Sequence, residues 1–346
     1  MMSLESRNEV DRPSGSGNAE RATDSESFID EDGNLPLVCS VVVNYKAPDD
    51  TIRCLASLWE QTYPNHELVV VDNDGDITGA NRIRQAAPDA TIIHTGENLG
   101  FSSGFNVGIQ HALLKGADFI SIINNDMIVR EDFVGNAFRA MRQSPDIGLV
   151  GGKIFHYDER KTDIIWAAGG GFSWLRGKGV ADGFGERNGP EWERPRDVEF
   201  IPGAQMFVRR EVFDAVGLLP EVYFLGGEEW DFCHQIGKAE FRIRFVPDVV
   251  GWHEVSHTAE ESYARYYNLF RNKLVFTRRQ YSTAGWVLWL VVFITISHSH
   301  LLLKHQDNWR TVYAAAISAL WRTAVDGARG VSRAEYEWAR RHGTTP

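Results

Sequence analysis

The side chains best placed for chemistry stand where apolar runs stop. Residues 120–129 read I-S-I-I-N-N-D-M-I-V, a buried strand that opens into Asn124-Asn125-Asp126. In open α/β sheets the carboxyl edge of the strands is where ligands bind. A lone Asp there is either a helix cap or one ligand of a hard cation, which it can share with a substrate's phosphates and a second protein ligand. Asp72 ends another apolar run; it reads as a turn residue or as an acceptor for the imide N–H of a pyrimidine base. Residues 98–106, N-L-G-F-S-S-G-F-N, run into a helical pattern. Glycines there would let the backbone approach a nucleotide, and a helix N-terminus favours negative charge. Glu228 and Glu229 open a further helix. They are dipole-stabilising surface carboxylates or, given the Y-F-L-G-G approach, an enclosed acid raised towards general-base duty. Asp231 is the alternative acid. His253 follows an apolar strand and is a core or rim residue unless it meets Asp126 in space, with His257 as a nearby substitute.

These residues need elements to hold them. Residues 37–43 are apolar on both faces, as a central parallel strand requires. Asp49 and Asp50 can cap a helix whose Ile52, Leu55, Leu58 and Trp59 recur at helical spacing. Further strands are expected at 68–71, 91–94 and 119–123, with helices near 81–87, after 105 and at 131–142. Alternating units of this length imply a mostly parallel sheet with helices on both faces. After Gly148 the pattern changes, and 151–202 predicts short strands and long loops, the usual place for substrate selection. Order returns with a strand at 203–208, helices at 210–216 and 228–238, and strands at 242–246 and 249–252 separated by a Pro247-Asp248 turn. A basic helix at 259–280 carries Arg265, Arg271, Lys273, Arg278 and Arg279, and a last amphipathic helix covers 312–325.

Composition narrows the classes. The chain has 346 residues, 43% hydrophobic and 24% charged, enough for a sizeable core. A net charge of −11 argues against nucleic acid as a partner, because phosphate binding needs basic surface. The three cysteines, Cys39, Cys54 and Cys233, lack metal-ligand spacing and read as buried thiols in a reducing compartment. Residues 1–34 are polar and acidic and predict a disordered tail; no basic flank precedes an apolar run there, so no signal peptide is expected. Residues 284–303 contain no Asp, Glu, Lys or Arg. That stretch is a buried core helix, an interfacial helix or a membrane span, and the basic helix before it would face anionic headgroups on the cytoplasmic side.

Taken together, S-V-V-V-N-Y at 40–45, V-D-N at 71–73, N-L-G-F at 98–101, G-F-N-V-G-I at 104–109, N-N-D at 124–126, the segment 203–217, G-E-E-W-D at 227–231, V-P at 246–247 and His253 resemble family 2 glycosyltransferases of the GT-A fold, particularly the rhamnosyltransferase-like branch. The match covers 38–279. The resemblance implies a GT-A domain at 35–258, with a nucleotide half at 35–150 and an acceptor half at 151–258; the uncharged stretch 284–303 makes the helical region at 259–346 a membrane-associated one in expectation. It implies that Asn44, Asp72, Asn98, Gly100, Asn106 and Asn125 bind a nucleotide-sugar donor. Asp126, the last position of the D-x-D motif, and His253 would hold Mg²⁺ or Mn²⁺, and Glu229 would be the catalytic base. Two positions depart from the pattern: Asn124 replaces the first acid of D-x-D, and Glu229 replaces an Asp. The implied activity is inverting transfer of rhamnose or another hexose or hexuronate to a hydroxyl of a glycan or polyprenyl-linked glycan, in surface-polysaccharide or glycoprotein glycan assembly. The implied location is the inner face of the cell membrane. The rival readings are a non-catalytic sugar-nucleotide-binding relative and a sugar-phosphate nucleotidyltransferase; the latter would want a Gly-rich loop where this chain has Lys46-Ala47-Pro48-Asp49-Asp50.

Overall fold

The structure, a computed structural model, describes residues 28–29, 33–158, 160–254, 263–304, 309–327 and 329–342. The first half alternates as expected: β1 (Val38–Asn44), α1 (Pro48–Trp59), β2 (His66–Asp72), α2 (Thr78–Ala86), β3 (Thr91–His94), α3 (Phe101–Leu114), β4 (Phe119–Asn124), the short β5 (Met127–Val129) and α4 (Phe133–Met141). Then come β6 (Ile147–Tyr157), β7 (Lys161–Ala168), the hairpin β8 (Gly170–Ser173) and β9 (Lys178–Ala181), β10 (Arg196–Val198), β11 (Gln205–Arg209), α5 (Arg210–Val216), α6 (Glu228–Lys238) and β12 (Arg242–His253). Four helices close the chain: α7 (Tyr263–Gln280), α8 (Thr283–Lys304), α9 (Trp309–Asp326) and α10 (Arg333–His342).

Among the described residues the main sheet has ten strands in the order β10-β12-β6-β11-β4-β1-β2-β3, with β5 on β12 and β7 on β6. β4, β1, β2 and β3 are parallel, but β11 runs antiparallel to both β4 and β6. The sheet is therefore mixed rather than mostly parallel. A run buried on both faces pairs in either direction, so apolar composition does not encode strand polarity. Alternation along the strands splits the core in two. Val42, Val70 and Ile123 face one cluster with α1 and α4, whereas Val41, Val69 and Ile122 face the other with α3, α6 and α7. Phe28, within the stretch expected to be a disordered tail, is buried in the first cluster against Tyr63 and Phe138; residues 1–27 and 30–32 lie outside the described residues.

The expectation of short strands and long loops from 151 onward is corrected at its start. β6 runs on to Tyr157 in the middle of the sheet, and its glycines are close-approach positions: a Cβ on Gly152 would sit 1.6 Å from the Val249 carbonyl oxygen. That contact arises because β12 is one strand rather than two. Its pairing with β6 shifts register between Val246 and Val250, so the expected Pro247-Asp248 turn is a bulge.

The core does not stop at residue 258. Val275 and Phe276 of α7 pack in the same cluster as Cys39, Ile120 and Leu149. Arg271, read from the sequence as part of a basic membrane-facing helix, is fully buried, and Arg279 is ion-paired to Asp231 at 2.6 Å. On α8, Trp289 and Phe293 pack inward while Val287, Leu288, Val291 and Ile294 are exposed. No helix among the described residues is long and apolar enough to cross a membrane, which leaves the packed and interfacial readings of 284–303. The three cysteines are free and buried; burial pushes the Cys39 and Cys233 thiols up to about 12, so they are inert packing groups.

Candidate active site

Register brings the polar strand ends to one edge. Asn44 pairs with Asp72, Asp72 with His94, and Val43 with Asn124. Above this edge lies a cavity of about 490 Å³ lined by Asn73, Asn98, Gly100, Phe101, Asn125 and Asp126, with Phe224 and Leu225 opposite.

Asp126 comes from the β4–β5 turn and His253 from the end of β12. Because β5 pairs with β12, with His253 opposite Met127, the two side chains meet: His253 Nε2 lies 3.0 Å from Asp126 Oδ1. Trp166 packs edge-on against the imidazole at 4.5 Å between ring centroids, and His253 Nδ1 is buried with no hydrogen-bond partner among the described residues. A carboxylate oxygen beside an imidazole nitrogen suits Mn²⁺ or Mg²⁺ when phosphate oxygens complete the shell. The pair fits such an ion, although among the described residues no third His, Cys, Asp or Glu joins it. His257 lies outside the described residues.

The Asn98–Gly100 turn is built by Asn73. Its Nδ2 donates to the Gly100 carbonyl (2.9 Å) and to Asn98 Oδ1 (3.3 Å), and its Oδ1 accepts from Leu99 N (2.9 Å). Gly100 has φ 87°, and a Cβ there would lie 2.6 Å from the Phe224 carbonyl oxygen, which accepts from Phe101 N. Only glycine permits this closure of the cavity wall. Asn125 Nδ2 donates to Thr51 Oγ1 at 3.2 Å.

Three expected binding residues stand behind the cavity instead of lining it. Asp72 is fully buried; Asn44 Nδ2 donates to its Oδ1 (2.6 Å) and His94 Nδ1 lies 2.8 Å from its Oδ2. Both oxygens are committed to the edge; Asn73, one residue on, lines the cavity, with its own amide committed to the Asn98–Gly100 turn. Asn44 is itself buried, accepting from Thr51 Oγ1 at 2.9 Å. Asn106 is buried too, tying α3 to Leu219 and Glu221. These three residues rigidify the edge.

Gly226 (φ 78°) and Gly227 (φ 94°) turn the chain sharply into α6, and Asn272 of α7 holds that turn by donating to the Leu225 carbonyl at 2.9 Å. Glu229 Oε2 accepts from Gly227 N at 2.9 Å. A Cβ on Gly203 would lie 3.5 Å from Glu229 Cβ and 3.6 Å from Phe101. Glu229 and the lining residue Phe101 thus both approach Gly203, and Glu229 is not itself a lining residue. Burial raises its pKa above the ordinary glutamate value, while a hydrogen bond from Glu228 opposes the rise. Glu228 is held much higher, by burial first and then by the adjacent Glu229 charge. The pair keeps a proton on Glu228 and the charge on Glu229. Asp231, the alternative base, is fully buried among Arg279, Tyr223 and Gln280. It locks α6 to α7 and has no route to a substrate. Tyr45, Lys46, Asn73, Phe224 and Tyr336 also line the cavity. Of these Tyr45 and Asn73 carried a signal in the sequence as neighbours of quoted strand ends, and Phe224 as part of the Y-F-L-G-G approach to α6.

Known proteins match this architecture. The family model described as Glycosyl transferase family 2 matches residues 39–217. The chain is 24% identical over 268 residues to the low-salt glycan biosynthesis hexosyltransferase of Haloferax volcanii, covering 73% of this chain and 82% of that one. It is 23% identical over 304 residues to the dTDP-rhamnosyl transferase RfbF of Shigella flexneri, covering 85% and 96%. Among solved structures, the mannosyltransferase PcManGT from Pyrobaculum calidifontis in complex with GDP-Man and Mn²⁺ superposes with a TM-score of 0.50 at 19% identity, covering 88% of this chain and 83% of that one; this likeness speaks for the fold. The family match spans more than half of the chain and includes Asn98, Gly100 and Asp126 from the cavity, so the chain belongs to glycosyl transferase family 2.

Proposed function

We propose that this enzyme is an inverting glycosyltransferase that moves a hexose from a nucleoside diphosphate donor to a hydroxyl of a growing glycan. One observation carries the reading: Asp126, on the wall of the cavity that Asn98 and Gly100 shape, meets the buried His253, 127 residues away in sequence, at 3.0 Å. The N-terminus of α3, beginning at Phe101, adds a dipole that favours the donor's negative charge. Asp126 and His253 would hold Mn²⁺ or Mg²⁺, which when bound neutralises charge on the diphosphate. Glu229 takes the proton of the acceptor hydroxyl as its oxygen attacks the anomeric carbon. The bond from that carbon to the diphosphate breaks, and the electron pair leaves with the nucleoside diphosphate. A single in-line displacement inverts the configuration. Glu228 keeps its own proton and orients Glu229 through their hydrogen bond. The relatives named above support a hexose, with rhamnose among the candidates, and support glycan assembly as the setting. The exposed apolar face of α8 supports a lipid-linked acceptor at the cytoplasmic face of a membrane.

The test is a thermal-shift screen of nucleotide sugars with Mn²⁺. A true donor at one hundred times its Kd adds about 2.7 kcal/mol of stability. Glu229→Gln is expected to keep that shift and to lose transfer by about a hundredfold or more. A screen with no shift for any nucleotide sugar, or normal turnover by the variant, would overturn the reading.

A further inference from the structure

A second chamber of about 590 Å³ opens beside the first. Tyr45, Lys46 and Asn98 line both, so the two form one cleft with a waist. Lys46 sits at that waist with φ 57°, a conformation that a non-glycine residue adopts only under constraint. The outer wall of the second chamber is α10, through Arg333, Glu337 and Arg340, and Tyr336 of the same helix reaches into the first. This helix lies far beyond the segment that the family model matches.

α10 is held there firmly. Val331 N donates to the Val222 carbonyl at 2.7 Å, and Tyr336 packs on Phe224 at 4.5 Å between ring centroids. Glu335 is buried and accepts from Arg271 Nε at 2.8 Å. Arg333 pairs with Glu97, next to Asn98, and with Glu337. Arg340 is exposed and has no ion-pair partner among the described residues.

We propose that α10 is part of the nucleotide site, with Arg340 and Tyr336 binding the nucleoside of the donor. This rests on the first cavity being the donor site. With the diphosphate beside Asp126 and the sugar towards Phe101 and Leu225, the nucleoside extends past the waist into the second chamber. The chemistry there suits a base and a ribose better than a second diphosphate. Acidic Asp74, Glu97 and Glu337 interleave with the basic side chains, which disfavours a polyanion. Tyr45 at the waist, Tyr336 just inside the first cavity and the planar Arg340 guanidinium offer stacking surfaces to a base, and carboxylates accept ribose hydroxyls.

Calorimetric titration of the full chain with Mn²⁺ tests this, using UDP, dTDP and GDP as nucleotide probes and pyrophosphate as the probe without a nucleoside. Arg340→Ala is expected to weaken the preferred nucleoside diphosphate about tenfold and to leave pyrophosphate binding unchanged. Tyr336→Leu should do the same. Nucleotide affinity unchanged in Arg340→Ala overturns the inference, as does an equal loss for nucleotide and pyrophosphate, which would mark a general charge or docking effect. No binding of any nucleoside diphosphate by the unaltered chain overturns the donor-site reading itself.

Discussion

Glu228 and Glu229 are adjacent and chemically identical, yet their surroundings assign them opposite states. Glu228 is nearly inaccessible, with Oε2 buried and without a hydrogen-bond partner among the described residues, which a neutral carboxyl tolerates better than an anion. Its folded-state pKa lies well above the ordinary value of 4.5. The folded state therefore binds that proton more tightly than the unfolded chain does. Stability from this group is full below the unfolded value and falls as pH rises from there towards the folded value. Glu228→Gln should remove that slope: the variant is expected to be more stable than the parent at pH 8 and to lose the advantage at pH 4, by urea denaturation at each pH. It should retain transfer, because an amide still donates to Glu229. An unchanged pH slope would refute the shared-proton arrangement. The same scale explains why Asp72 misleads. It is the last residue of β2 and points into the hydrogen-bonded edge, while Asn73, one residue on, reaches the cavity. Side chains alternate across a strand, so one residue at a strand end separates a group behind the edge from one that lines the cavity.

At the scale of elements, α7 is the joint between the sheet and the C-terminal helices. Arg271 is fully buried, donating to Glu335 (2.8 Å), Thr323 (3.0 Å) and the Gly330 carbonyl (3.2 Å), and pairing with Asp326. It ties α9 and α10 to α7. Arg271→Met leaves the buried Glu335 and the partly buried Asp326 without their cation and is expected to cost about 3–5 kcal/mol in chemical denaturation; a loss under 1 kcal/mol would show that the network is dispensable. The helix at 259–280 was legible in the sequence as a basic helix. Its orientation was not, because an Arg is as readily a buried tie as a surface charge. β12 shows the complementary limit: Pro247 reads locally as a stop, but pairing with β6 on both sides carries the strand through it.

For the whole molecule, net charge and apolar surface oppose one another. The chain carries −11, and the arginines expected to face headgroups include buried Arg271 and paired Arg279. Yet Val287, Leu288, Val291 and Ile294 form one exposed face of α8, and Ile317, Trp321 and Val325 another on α9. We propose that the enzyme rests on a membrane through these faces, driven by apolar burial rather than by basic attraction. Flotation with neutral vesicles should recover the protein with little dependence on salt, and Leu288→Glu combined with Val291→Glu should release it. Binding that requires anionic lipid and disappears in high salt would contradict this.

Sequence by itself determined the βα alternation, the edge at which chemistry gathers, and the side chains Asn98, Gly100, Asn125 and Asp126 of the cavity lining. These follow from local rules: hydrophobic period, glycine at strained turns, and polar residues where strands end. Tertiary structure decided strand polarity, the meeting of Asp126 with His253, the burial of Asp72, Asn44, Asn106 and Asp231, and the arrival of α10 at the cleft. Each depends on contacts between segments distant in the chain. A helix such as α10 has the same local pattern whether it lies against a site or far from it, and only the packing of Arg271, Val222 and Phe224 brings it there.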